Sequence, residues 1–141
     1  MKYIICFSIL VFLSIAVAAQ TDVYERHKKR VAADGWIFMD EKKMFLKQGA
    51  DEYGIFKVEA GKRYKIFCMS DDGDVRDTDV WVYDLKTKEL LGKDTEKDLM
   101  AIVDISDGIA RSVEIVGKNV KSNNPGHESR FYILITYKLL W

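Results

Sequence analysis

Cysteine, histidine and proline are close to absent from this chain, with 2 cysteines, 2 histidines and 1 proline in 141 residues. Each shortage closes off a chemistry. Cys6 lies in an apolar N-terminal run that reads as a removable signal, so Cys68 stands alone and no internal disulfide can staple the fold. Its neighbours Ile66, Phe67 and Met69 make an ordinary buried thiol the expected state. His27 and His127 are far apart in sequence and from Cys68, a poor supply for zinc. Charge of one sign is also missing. The 22 basic residues equal the 22 acidic ones, and setting aside Lys2 of the signal leaves a net of −1. A nucleic-acid surface normally shows as a basic excess, so that partner is excluded. There is no Gly-x-Ser-x-Gly, no His-Glu-x-x-His, no P-loop and no dinucleotide fingerprint. His127, Glu128 and Ser129 are adjacent, whereas a working triad draws its members from separate elements. Pro125 falls in a loop, which leaves the strands free of breakers.

What is present begins with an export signal. Met1-Lys2 carries one positive charge, Tyr3 to Val17 is apolar apart from Ser8 and Ser14, and Ala16-Val17-Ala18-Ala19 supplies small residues for a signal peptidase. Cleavage after Ala18 or Ala19 fits equally well. The run is shorter than the roughly 20 residues of a spanning helix, and no second one approaches that length. The expected mature product is periplasmic or secreted, with no transmembrane segment. Residues 20–141 are close to the size of one domain and long enough to bury a core of their own.

A short helix is expected over 22–34. Asp22 and Glu25 look like a capping box, Gly35 like the residue that ends the helix, and Val23, Tyr24, His27 and Val31 share a stripe. Arg26, Lys28, Lys29 and Arg30 form the opposite face, either solvated or in touch with anionic lipid or polysaccharide. From Trp36 onward the pattern becomes strand-like, at 36–40, 44–47, 54–59, 63–69, 79–85, 89–93, 99–105, 111–116 and 130–139. Tyr64, Ile66 and Cys68 share one face of their strand, and Leu99, Ala101, Val103 and Ile105 one face of theirs. Val80 and Val82 alternate with Trp81 and Tyr83, which marks a strand apolar on both sides and central in its sheet. Tyr132 and Leu134 likewise make both faces of the last strand apolar. Short strands broken by turns, with no helical crossovers between them, predict an antiparallel sandwich or barrel. The last strand alternates apolar residues up to Trp141, as outer-membrane barrel strands do, but these strands are shorter than the roughly ten residues such barrels use.

The order of these pieces resembles a known family. Val58-Glu59-Ala60-Gly61-Lys62-Arg63-Tyr64-Lys65-Ile66, then Asp77-Thr78-Asp79-Val80-Trp81-Val82-Tyr83-Asp84, then Arg130-Phe131-Tyr132-Ile133-Leu134-Ile135 is similar to the succession of strands in bacterial pre-peptidase C-terminal domains. The likeness spans roughly residues 53–138. It implies a mainly β, antiparallel, jelly-roll-like β-sandwich, of a kind usually appended to secreted enzymes and acting in binding or processing. Many members carry a cysteine pair around the acidic loop, where this chain has Cys68 alone.

Two loops attract functional expectations. Asp71, Asp72, Asp74, Asp77 and Asp79 place five carboxylates within nine residues around Gly73. Calcium takes about six to eight oxygen ligands, so this is the candidate site for a structural calcium, although the spacing is not that of an EF-hand. The competing reading is a turn in which aspartates accept backbone hydrogen bonds. The loop 118–129, rich in Asn, Gly and Ser, is expected to be the longest connection, and Asn123, Asn124 and His127 are its candidate binding residues. Trp36, Trp81, Trp141 and the tyrosines are candidates for a stacking platform or for the core. The function expected is that of an exported, non-catalytic binding or accessory protein with a protein, peptide or polysaccharide ligand. The alternative is a small secreted or periplasmic hydrolase using paired carboxylates.

Overall fold

The computed structural model describes residues 22–141. The export signal expected over 1–19 lies outside the described residues. Helix α1 (Asp22–Ala33) is followed by eight strands: β1 (Ile37–Leu46), β2 (Asp51–Val58), β3 (Lys62–Ser70), β4 (Val75–Asp84), β5 (Leu90–Asp94), β6 (Met100–Ile105), β7 (Arg111–Ser122) and β8 (Ser129–Leu139). They form two four-stranded sheets, in the orders β1-β8-β3-β6 and β2-β7-β4-β5, and every pairing is antiparallel. The mainly β sandwich expected from the sequence is the observed architecture. Among the described residues no helix is long and apolar enough to cross a membrane.

The inner faces meet in one cluster. Met44, Tyr64, Ile66, Cys68, Ala101, Val103, Phe131, Ile133 and Ile135 come from the first sheet, and Phe56, Val80, Val82, Val113 and Ile115 from the second. These are alternate positions along each strand, as a pleated sheet requires. Cys68 lies fully inside, and burial pushes its thiol up to about 12, so it is inert at neutral pH. Gly117 faces inward opposite it. A methyl group there would sit 2.7 Å from the Cys68 sulfur, so the close approach of the sheets requires glycine.

The first sheet has a second apolar face. Phe67 and Met69 of β3 and Tyr132 and Leu134 of β8 project away from the core, and α1 lies on them through Tyr24 and Val31. The Tyr24 and Tyr132 rings stack with centroids 3.7 Å apart and planes 6° apart, and the Tyr24 hydroxyl donates to Glu41 of β1. Burial and that carboxylate raise the Tyr24 pKa. The helix stops at Gly35, which takes φ 81°. Its amide donates to Ala32 O at 2.9 Å and the Trp36 amide to Val31 O at 3.2 Å, the bond pair of a Schellman turn. That turn delivers Trp36 into the same cluster. The molecule therefore has three layers: helix, sheet and sheet.

Four expectations need correction. The segments 36–40 and 44–47 are one strand, because charged residues are tolerated along an edge: Glu41 is held by Tyr24, Lys42 by Glu52 at 2.9 Å, and a bulge at Phe38/Asp40 absorbs the register change. Lys28 belongs to the packed side of α1, 3.7 Å from Glu41, not to a solvated face. Leu99 precedes β6 and is exposed, while Ala101, Val103 and Ile105 are buried as expected. The loop expected at 118–129 shortens to residues 123–128, since β7 runs to Ser122 and β8 begins at Ser129. Its polar core positions hid the alternation: Asn119 is buried, donates to Leu46 O at 3.1 Å and exchanges hydrogen bonds with Ser122.

Candidate functional site

The two loops singled out by sequence meet at one end of the sandwich. The His127 ring nitrogen lies 2.9 Å from Asp72 Oδ2, the Asn124 amide donates to Asp74 Oδ1 at 3.0 Å, and the Asn123 amide donates to Asp74 O at 2.8 Å. Arg76 Nε donates to Asn123 Oδ1 at 3.0 Å. Asp71 turns away from this junction. Its side chain is 3% exposed and accepts from Arg130 Nε and Nη2 at 3.1 and 2.8 Å, with the Tyr132 hydroxyl at 3.3 Å. Arg130 and Tyr132 are partners that sequence reasoning did not find, because each reaches Asp71 from a distant strand position.

The five aspartates thus part company. Asp71 faces the outer side of the first sheet, Asp72 and Asp74 hold the loop junction, and Asp77 and Asp79 stand on β4. Asp74 N–H and the His127 ring keep the Asp72 carboxyl below its usual range against the effect of partial burial. Asp79 is shifted the other way, by partial burial and by Asp77, Asp94 and Asp98, with Lys118 opposing. Among the described residues no three His, Cys, Asp or Glu side chains come together as a group that could hold a metal ion.

A hollow of about 590 Å³ lies at the opposite end, between the β4–β5 turn and the start of β7. Asp84 is the one carboxylate on its lining. It accepts the Lys86 and Thr87 amides at 2.8 and 2.9 Å, which hold its pKa below the usual range. A carboxylate kept ionised by its own turn, with no second acid on the same wall, lacks the acid–base pair that glycoside cleavage needs.

Among the described residues the one helix lies on the first sheet, and no helix covers the outer face of the second. Inward Val80, Val82, Val113 and Ile115 put Trp81, Tyr83, Glu114 and Val116 on the other side. Register lines them up across the sheet. Tyr53 of β2 faces Val116 of β7, which faces Trp81 of β4, which faces Lys93 of β5. The next row runs Ile55, Glu114, Tyr83 and Leu90. Tyr53 is 56% and Ile55 54% exposed, large values for such side chains in a strand. Lys42 reaches over the edge, its ammonium 5.9 Å from the Tyr53 ring and donating to Tyr53 O, so the ring is held in place. Lys88 lies 3.9 Å from Glu114 at the border of the second row. The result is a flat aromatic strip with charged groups along its rims. Trp81 and Tyr83 were expected on one face of a central strand, and they are there. Ile55 lay inside an expected strand and Tyr53 just before it, and only register shows them beside Trp81 and Tyr83.

No protein-family model matches the chain, and no curated protein matches it in sequence. Among solved structures, the pre-peptidase C-terminal domain of collagenase from Bacillus anthracis aligns over 70% of this chain and 89% of its own, with a TM-score of 0.52 and 9% identity. The likeness is one of fold. A second alignment, to a Bacillus endospore appendage protein of disulfide-linked pili, covers 74% of this chain and 90% of the other at 14% identity and a TM-score of 0.37. The sandwich expected from the order of motifs therefore has a structural counterpart in the family that those motifs resemble.

Proposed function

We propose that this chain is an exported, non-catalytic binding module that holds a glycan against the bare face of its second sheet. The observation that carries the reading is the aligned row Tyr53–Val116–Trp81–Lys93 on the outer face of the sheet, exposed at Tyr53 and Lys93 and half-buried at Val116 and Trp81. A sugar ring offers an apolar C–H face with a rim of hydroxyls, which matches an aromatic strip flanked by Lys93, Glu114 and Lys118. Strands fix the spacing of these side chains, so binding needs little ordering of the site. A structural calcium at Asp71, Asp72, Asp74, Asp77 and Asp79 forms no part of the reading, because the first three already have protein donors and the last two stand on a strand.

Affinity electrophoresis of residues 20–141 through gels cast with mixed-linkage glucan, xylan or polygalacturonate tests the ligand class. Retardation on at least one gel, abolished by Trp81→Ala, is expected. Free migration on all three, together with capture by a peptide array through the same tryptophan, would replace the glycan with a protein surface. Export is tested by the mass of the product recovered outside the cytoplasm, which should begin at Ala19 or Gln20.

A further inference from the structure

Three cations crowd one tryptophan on the far side of the molecule from that face. The Arg63 guanidinium lies 5.0 Å, the Lys65 ammonium 4.8 Å and the Lys138 ammonium 4.9 Å from the centroid of the Trp36 ring. Arg63 and Lys138 are direct cross-strand partners on β3 and β8, with Lys65 two residues further along the same face of β3. Like charges placed directly opposite each other destabilise a sheet pair. The ring quadrupole attracts each cation separately but does not cancel their mutual repulsion. Among the described residues the counter-charge given to these three groups is thin. Asp104 lies 3.8 Å from Lys65, Lys138 donates to the Asp34 carbonyl at 2.6 Å, and Arg63 has the ring as its partner. Trp36 is 9% exposed, so it is a floor beneath the cations and not a platform for a ligand to stack on.

We propose that Arg63, Lys65 and Lys138, seated on Trp36, form a binding site for a phosphate-type oxyanion. A carboxylate that takes the guanidinium fork on its two oxygens keeps its remaining lone pairs in one plane, poorly placed for two ammonium groups on different strands. A tetrahedral phosphate presents enough oxygens for a guanidinium fork and two ammonium groups at once. The anion would also relieve the repulsion that the fold builds into this corner. The group is either a small phosphate or the headgroup of an anionic lipid, and the two sources are separable. The inference stands apart from the glycan reading, since it uses the opposite side of the molecule.

The test is thermal unfolding with inorganic phosphate against chloride at matched ionic strength, together with sedimentation on vesicles of phosphatidylglycerol or phosphatidylcholine. The Arg63→Gln/Lys65→Gln variant removes the site while keeping Lys138 on Asp34. Lys86→Gln/Lys97→Gln carries the same change in net charge elsewhere. A phosphate-specific rise in Tm, lost in the first variant and kept in the second, supports the site with a small phosphate as source. Sedimentation with phosphatidylglycerol alone, lost and kept in the same way, supports it with a lipid headgroup as source. No effect in either assay, or an effect that survives Arg63→Gln/Lys65→Gln, overturns the site.

Discussion

The two outer faces of this sandwich start from similar material and end differently. Each carries large apolar side chains: Phe67, Met69, Tyr132 and Leu134 on the first sheet, Tyr53, Ile55, Trp81 and Tyr83 on the second. On the first, a 12-residue helix and Trp36 close over them and the residues are buried. On the second no helix of the described chain does so: Tyr53 and Ile55 are exposed, and Trp81 and Tyr83 are only half-buried. A covered face contributes to stability, whereas an open aromatic face costs solubility without strengthening the fold. Burial converts apolar area into stability, and an uncovered strip gains that energy only when a ligand arrives.

The sharpest way to break this contrast is to damage the cover. Trp36→Ala should cost about 3 kcal/mol, as deletion of a buried aromatic does, measured by urea denaturation. A loss below about 1 kcal/mol would mean that the helical layer is ornamental and the two faces are alike. Next comes the ion pair under the same layer. Asp71→Asn leaves Arg130 without its fork partner and should cost about 2 kcal/mol, less than a fully buried pair because Arg130 is 35% exposed. Adding Arg130→Met should recover part of that loss in a double-mutant cycle.

A smaller effect comes from pH. Burial of the His27 ring between the helix and Phe67 of the first sheet, and secondarily Arg30, hold its pKa below the ordinary value of 6.5. The folded state therefore binds this proton less readily than the unfolded chain. The associated stability is fully present above 6.5 and is lost as pH falls from there through the folded value. Unfolding midpoints measured between pH 7.5 and 5 should fall less steeply in His27→Gln than in the parent chain. Equal slopes would show that His27 is not buried between the helix and the sheet. The bare face has no histidine, so Trp81→Ala should leave that slope alone.

Much of the contrast was legible in the sequence and some was not. Tyr132 and Leu134 opposite Ile133 and Ile135 announce a strand buried on both sides, and Tyr24 and Val31 announce a helix with something to cover. Local periodicity carries that information. The fate of the aspartates is not local. Asp71 is claimed by Arg130, 59 residues away, and Asp72 by His127, 55 residues away, so a run that reads as one ligand set becomes several separate contacts. The polar stretch of β7 misled for a related reason. Asn119 and Ser122 satisfy each other inside the fold, and nothing in their hydropathy shows it. The aromatic row was half visible, because Trp81 and Tyr83 share a strand while the register that adds Tyr53 depends on β2 pairing with β7 across more than 50 intervening residues.

The most direct test of the account is a paired measurement on Trp81→Ala/Tyr53→Ala: its Tm and its retardation on the polysaccharide gel that best retards the parent chain. The account predicts a Tm close to that of the parent, with a stability loss of about 1 kcal/mol or less, and complete loss of retardation. A variant that unfolds like Trp36→Ala, or one that is retarded as strongly as the parent, would contradict it.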